Sequence, residues 1–525
     1  MKYVAGILIA GLLCLRATAQ ELSSVVIPSE DEIYEAYLAG EIDYDQYLLL
    51  VDMEQNGLEP SLLYLLDLIP ELSTEEDSVE QTSAGQTSKT RHTLKYGYYQ
   101  RLEADELSRY LLKMRSHVDQ NWELAFGIRK ELTGRERFVG RSATYRSDRG
   151  VVRSAVVGSF TRKYGLGSVI GYRGKLLSYS PRLDDESILF PDFGGFNGVA
   201  LDTRSGDMNI NTMGSYSRDE DHTIAVVAAN LGLKVGRWRP QVTLAATRLG
   251  ERYSAHAISD YKSALTLEFA RNGGSITGEY CLQGGARDEA ASAIFDLKQR
   301  FGSRTVSLTG WSYGDNYLNL ASGGKASTLS HTVELEEVDC SLTDRRSGQR
   351  GLSGRLSGGL SKSTRFAFST LAGWRSSDSS IFQFQSQITR SISTRLTFGL
   401  EYLTKRIEKQ PIDSLYHRVR ASIHVSSGML KLKTYLGETM PESGRDYFSW
   451  LTDLKIDLSE QTRLQLWSNL SRVIDGRIDY WNLFAKLEHK LSEVVSVSTK
   501  LSDRYDPNAT EQHLPAFSFE LNGGI

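Results

Sequence analysis

The chain has little cysteine, little proline and, after its first fifteen residues, no long apolar run. Three Cys in 525 residues cannot form a disulfide framework, and Cys14 falls inside an N-terminal leader, which leaves Cys281 and Cys340. These two lie on different candidate strands and read as unrelated, inert thiols, a single bridge between them being the alternative. Ten Pro is few enough for a chain rich in central strands, because proline cannot donate to a sheet ladder. With no later run of about eighteen apolar residues, no membrane-spanning helix is encoded. Positive charge is missing from one region: between Gln20 and Thr90 stand seventeen Asp and Glu against a single base, Lys89.

The leader is legible in three parts. Lys2 supplies a positive start, Val4 to Leu15 an apolar stretch, and Ala17-Thr18-Ala19 a small-residue cleavage site before Gln20. This predicts a signal peptide over 1–19 and an exported chain. Leu13, ahead of Cys14, is larger than the residue a lipoprotein signal places there, so no lipid attachment is expected.

The acidic region carries a net charge of −16 and divides in two. Over 20–72, Glu30 to Ala39, Asp43 to Gln55 and Pro60 to Leu68 read as three short helices, with Ser29 and Asp43 as N-caps and Gly40 and Gly57 after helix ends. From Ser73 to Thr90 the polar stretch STEEDSVEQTSAGQTSKT reads as a flexible linker. Small helical hairpins can bind DNA. That needs Lys, Arg or glycine-rich amides for the phosphates, and this head has none before Lys89, so no nucleic-acid partner is expected.

From Arg91 to Ile525 the balance reverses to +10, and the sequence becomes a series of roughly ten-residue segments of alternating polarity separated by Gly, Asn, Asp or Ser turns. Leu396, Phe398, Leu400 and Tyr402 oppose Thr397, Gly399 and Glu401. Phe382, Phe384 and Ile388 oppose Gln383, Gln385 and Gln387; Leu265, Leu267 and Phe269 oppose Thr266 and Glu268; Leu430, Leu432 and Leu436 oppose Lys431, Lys433 and Tyr435. A one-residue slip would put lysine into lipid at about 2–4 kcal/mol each near mid-membrane, so register is well determined. Mean hydropathy of −0.33 agrees with a barrel, in which only every second residue meets lipid. The expected fold class is mainly β: a large antiparallel transmembrane β-barrel of about 24 strands, with even strand parity, behind a small α-helical periplasmic domain. It begins at Arg91 to Arg101 and ends at Pro515 to Gly524. The chain closes on Gly523-Gly524-Ile525, where barrel-assembly machinery expects a terminal aromatic.

The longest interruption of the alternation is an insertion near 163–195, rich in Gly and aromatics, which is expected to fold into the lumen. Here the chain resembles a family. RKYGLGSVIGYRGKLL, from Arg162 to Leu177, and FNGVALDTRSGDMNINTMGSYSR, from Phe196 to Arg218, are similar to the barrel core of the helix-hairpin-helix-bearing outer-membrane proteins. The acidic, Leu-rich head looks like that family's N-terminal region. Asn197 stands where the family places Arg, and Leu68 to Leu72 lacks the hairpin glycines. The resemblance implies an outer-membrane barrel with a periplasmic head.

Tyr164, Gly165, Leu166 and Gly167 could cradle an anion, but no Lys-Ser/Thr and no helix follows, which favours a tight turn. Arg162, Lys163, Arg173, Lys175 and Arg182 surround this turn and have two readings: a luminal basic constriction that selects anions, or bases paired with acids across the pore. The acidic turns Asp184-Asp185-Glu186 and Asp219 to His222 lack calcium-loop spacing, and no nucleophile elbow is present. Neither metal, cofactor nor enzyme activity is expected. Trp122, Trp238, Trp311, Trp374, Trp450 and Trp467 are expected as girdle or lipid-face residues; a solute-stacking Trp would have to sit on the polar face. Expected partners are outer-membrane lipid and lipopolysaccharide, the barrel-assembly machinery and a periplasmic protein for the head. The sequence thus predicts a non-enzymatic barrel for passage of solutes or macromolecules, its lumen partly filled by the insertion and by the oppositely charged head, with a membrane-anchored scaffold as the alternative.

Overall fold

A computed structural model describes residues 91–524, apart from 172–195 and shorter segments within the strand connections. The leader, the acidic head and the linker lie outside the described residues, so the three helices expected there do too.

The alternating segments become strands. They are β1 Arg91–Arg101, β2 Ser108–His117, β3 Trp122–Lys130, β4 Glu136–Arg146, β5 Val152–Phe160, β6 Phe196–Ser205, β7 Met208–Arg218 and β8 His222–Leu233. Next come β9 Trp238–Glu251, β10 Ala257–Arg271, β11 Gly274–Gly285, β12 Ala290–Phe301 and β13 Arg304–Tyr313. A small separate hairpin follows, β14 His331–Leu335 and β15 Cys340–Asp344, with a 3₁₀ turn Glu336–Val338 between its strands. The sheet resumes with β16 Gln349–Gly359, β17 Thr364–Arg375, β18 Ser379–Ser393, β19 Leu396–Lys409 and β20 Ile412–Ser427. It continues through β21 Leu430–Pro441, β22 Tyr447–Asp457, β23 Thr462–Val473, β24 Ile478–Lys490, β25 Val495–Tyr505 and β26 Ala516–Gly524.

Every strand of the large sheet pairs antiparallel with its neighbours in sequence, β13 passing directly to β16. The first strand closes on the last, with Tyr96 opposite Leu521 and Tyr98 opposite Phe519. The result is one closed sheet of 24 strands, the expected number, with no free edge. Gly523 and Gly524 take ordinary places in the final ladder, opposite Leu94 and Thr93.

The two faces separate as the alternation requires. Leu265 and Leu267 are 57% and 44% exposed, while Thr266 between them is 1% exposed. Phe382 lies open beside buried Gln383, and Leu430 and Leu436 lie open on either side of buried Tyr435. An outward apolar belt over an inward polar face is the transmembrane barrel of the outer-membrane kind. Trp122, Trp238, Trp374 and Trp450 are outward and exposed, Trp122 and Trp238 opening their strands and Trp374 near the end of its own, as girdles are. Trp311 and Trp467 depart from that expectation: both are buried on the inward face.

Short turns such as 206–207, 302–303 and 428–429 gather at the end of the barrel that holds the start of β1 and the end of β26. At the opposite, loop end there are two long excursions, 161–195 and 314–348. The first contains the expected insertion. The second was not expected, because its hairpin strands HTVEL and CSLTD read as ordinary wall segments.

Candidate functional site

The functional question is what occupies the lumen, and the two excursions supply part of the answer. Residues 161–171 and 314–348 fold back against the inner wall. Tyr164, Val169, Ile170, Tyr317, Leu320, Leu329 and Val338 pack with inward Ile224, Val226, Leu249, Ile258, Ala264, Ile294 and Ile381 in one buried cluster. Inward positions that would otherwise face water are apolar here because a second layer covers them.

The predicted turn sits at the heart of this layer. Tyr164 N donates to Ile170 O and Gly167 N to Tyr164 O, each at 3.0 Å, which closes the loop. Gly165 and Gly167 have φ of 57° and 93°, a region that favours glycine. A Cβ on Gly165 would also collide with the Glu279 carboxylate and Thr266 Oγ1. The loop does cradle an anion, and the anion belongs to the chain. Glu279 on β11 accepts from Leu166 N at 2.6 Å, Ser168 N at 2.8 Å, Thr266 Oγ1 at 2.7 Å and Ser168 Oγ. A carboxylate held by this many donors satisfies amides that would otherwise be buried unpaired.

The two excursions then lock together. Gly171 N donates to Ala321 O at 3.0 Å, and a side chain on Gly171 would strike the backbone of Gly323. Tyr317 donates its hydroxyl to Ser168 O. Lys262 on β10 donates to Leu318 O at 2.5 Å and Ser322 Oγ at 2.7 Å, beside Asp260 at 3.2 Å. Gln349 on β16 accepts from Ser327 N at 2.6 Å and Trp311 Nε1 at 3.0 Å, and donates to Leu329 O at 3.1 Å. Arg375 on β17 donates to the same carbonyl, and His222 Nε2 on β8 to Val338 O at 2.9 Å. The excursion 314–348 is therefore pinned from β8 to β17. Burial pushes the Tyr164 phenol up to about 12 and raises Tyr317 well above its ordinary value.

Among the sequence-predicted basic residues, Arg162 pairs with Asp202 at 2.9 Å and donates to Ser154 Oγ, while Lys163 is exposed. Arg173, Lys175 and Arg182 lie outside the described residues. Cys281 and Cys340 are free and buried. Sequence reasoning missed Glu279, Lys262 and Gln349. All three stand on the polar parity of their strands, but nothing local marks which distant backbone they serve.

The rest of the inner wall, from β19 round to β3, is finished differently. Glu401 accepts from Arg418 at 3.0 Å and Arg420 at 2.6 Å, all three buried on the inward face. Trp467 stacks on Phe484 with centroids 5.2 Å apart, and Lys500 lies over the Phe484 ring at 4.5 Å. Asn469 is fully buried with neither amide atom hydrogen-bonded, and Thr439 Oγ1 and Trp467 Nε1 are in the same state. No cluster of three or more potential metal ligands occurs among the described residues.

No family model and no curated protein matches this chain. Solved structures do. A chain of the E. coli P pilus tip assembly intermediate PapC-PapD-PapK-PapG is similar at a TM-score of 0.51 and 9% identity, covering 85% of this chain and 62% of that one. The P pilus usher (PapC) translocation pore gives 0.48 at 9% identity, covering 83% and 99%. The siderophore receptor PirA from Pseudomonas aeruginosa gives 0.48 at 8% identity, covering 84% and 81%. The likeness is one of fold: a large closed antiparallel barrel.

Proposed function

We propose that this protein is a non-enzymatic outer-membrane barrel through which solutes or macromolecules pass. Its passage is confined to the part of the lumen lined by β19 to β26 and β1 to β3. The observation that carries this reading is the unequal finishing of the inner wall: one part is sealed by an apolar layer, and the other keeps charged and aromatic side chains on its inward face. A 24-stranded barrel is wide enough to hold an aqueous channel. Short turns mark the periplasmic end of such barrels, and the start of β1 at that end supports a periplasmic head. Membership of the helix-hairpin-helix-bearing class is part of the proposal and rests on Arg162 to Leu177 and Phe196 to Arg218.

Purified protein in planar bilayers should give discrete conductance steps. Consistent silence, with folding verified by heat-modifiable migration, would favour the second reading, a membrane-anchored scaffold whose head recruits a periplasmic protein. The pinning of 314–348 from β8 to β17 favours that alternative, because so fixed a layer is no gate.

A further inference from the structure

The inner wall from β19 round to β3 carries charge of mostly one sign. Its described acids are Glu123, Glu401, Asp453, Asp457, Glu488 and Glu520, and each has a base beside it. Arg115 lies 3.0 Å from Glu123, and Arg418 and Arg420 share Glu401. Lys455 is 3.7 Å from Asp453 and Lys486 3.4 Å from Glu520. Arg463 is 2.6 Å from Asp457 and stands opposite Glu488. The same face also carries Lys113, Lys405, Lys431, Lys433, Lys490 and Lys500, placed there by the alternation: Lys405 shares the parity of buried Leu403, Lys433 that of buried Tyr435, and Lys500 that of buried Ser498. Among the described residues, then, twelve bases stand against six acids on this face, and no choice of partners within it removes the excess. The surroundings of Lys405 show this locally. Gln383 and Tyr416 are its cross-strand neighbours and Arg418 lies on the diagonal, while Glu401, the one described acid on the inward face of β18 to β21, is already held by two arginines.

We propose that the solutes passing along this wall are anions. The inference rests on the passage reading and names the class of solute. Fixed charges of one sign on a pore wall concentrate ions of the opposite sign and repel those of their own. Ion pairs between neighbours weaken the field close to each pair but leave the net charge of the wall unchanged. That field reaches about a Debye length, roughly 10 Å at 0.1 M salt, so it acts on whatever travels beside the wall.

The test is the reversal potential of the full chain in planar bilayers under a KCl gradient. Near 0.1 M, chloride should pass several-fold more readily than potassium, and the ratio should fall toward one near 1 M, where the Debye length is about 3 Å. Lys405→Glu and Lys500→Glu each set an acid beside an existing base, Arg418 and Lys486, which favours the native register, and together they should lower the ratio several-fold. If that pair does not give the heat-modifiable form, Lys405→Gln with Lys500→Gln should lower the ratio by a smaller factor. Arg248→Glu makes the same change of charge on the outward face, where Arg248 is exposed between buried Thr247 and Leu249, and should leave the ratio as it is. A parent that prefers potassium or does not discriminate, a preference untouched by the luminal changes, or one moved as far by Arg248→Glu would overturn the inference while passage stands. Silence from folded protein would overturn both.

Discussion

The wall from β8 to β18 and the wall from β19 round to β3 belong to one continuous ladder, yet their inner faces obey different rules. In the first, polar side chains are aimed at backbone groups of the same chain: Glu279 at the Leu166 and Ser168 amides, Lys262 at Leu318, Gln349 at Ser327 and Leu329. In the second, lysines oppose lysines and a buried Asn finds no partner. A buried polar group stabilises only when answered. The first face answers its polar side chains with the backbone of the excursions, and the second answers Glu401 with Arg418 and Arg420. Each face also holds buried atoms without a hydrogen bond, the Tyr164 and Ser292 hydroxyls on the first, Asn469 and Thr439 on the second.

Substitutions can break this contrast. Gly165→Val should act most strongly, since it combines a β-branched residue at φ of 57° with a collision against Glu279; we expect 161–171 to leave the wall and single-channel conductance to rise several-fold. Conductance equal to the parent would show that the turn does not limit the passage. Glu279→Ala should cost about 1–3 kcal/mol for each donor left buried without an acceptor, read as a lower temperature for loss of the heat-modifiable form, because several donors lose one acceptor together. In the other half, Asn469→Ala should shift the same transition by under about 1 kcal/mol, as neither amide atom has a partner to lose. A large loss there would mean that the two faces are finished alike.

A finer test concerns charge. Glu401→Gln removes the carboxylate shared by Arg418 and Arg420, so the reversal potential in a salt gradient should move toward anion preference. An unmoved potential would take this cluster off the solute path. The smallest effect is a pH dependence. Tyr164 has a raised folded-state value, so its contribution is complete below its unfolded value near 10 and is lost as pH rises through about 12. Phenolate absorbance should therefore show late-titrating tyrosines in the parent and one fewer in Tyr164→Phe.

Much of this was legible in the residues, for a physical reason. Lipid on one side and water or polar packing on the other impose a period of two, and Leu396 to Leu403 or Phe382 to Ile388 display it without ambiguity. The first excursion showed itself by breaking that period. The second did not, because a hairpin inside the lumen alternates like one in the wall. The inward placement of Trp467 had a signal: it shares parity with Gln465 and Asn469, between outward Leu466 and Leu470. Glu279 had none, since its donors at Leu166 and Ser168 lie more than a hundred positions away and only the closed sheet brings them near.

The back-to-back approach of Gly171 and Gly323 has a consequence for the order of events during biogenesis. The two glycines arrive from connections eight wall strands apart, β5 to β6 and β13 to β16, so neither excursion can seat correctly until the intervening wall has been laid down. Closing such long loops carries its entropic cost before any contact rewards it. The interior is thus completed late, after a perimeter already exists to receive it, and a nascent barrel is hollow before it is filled.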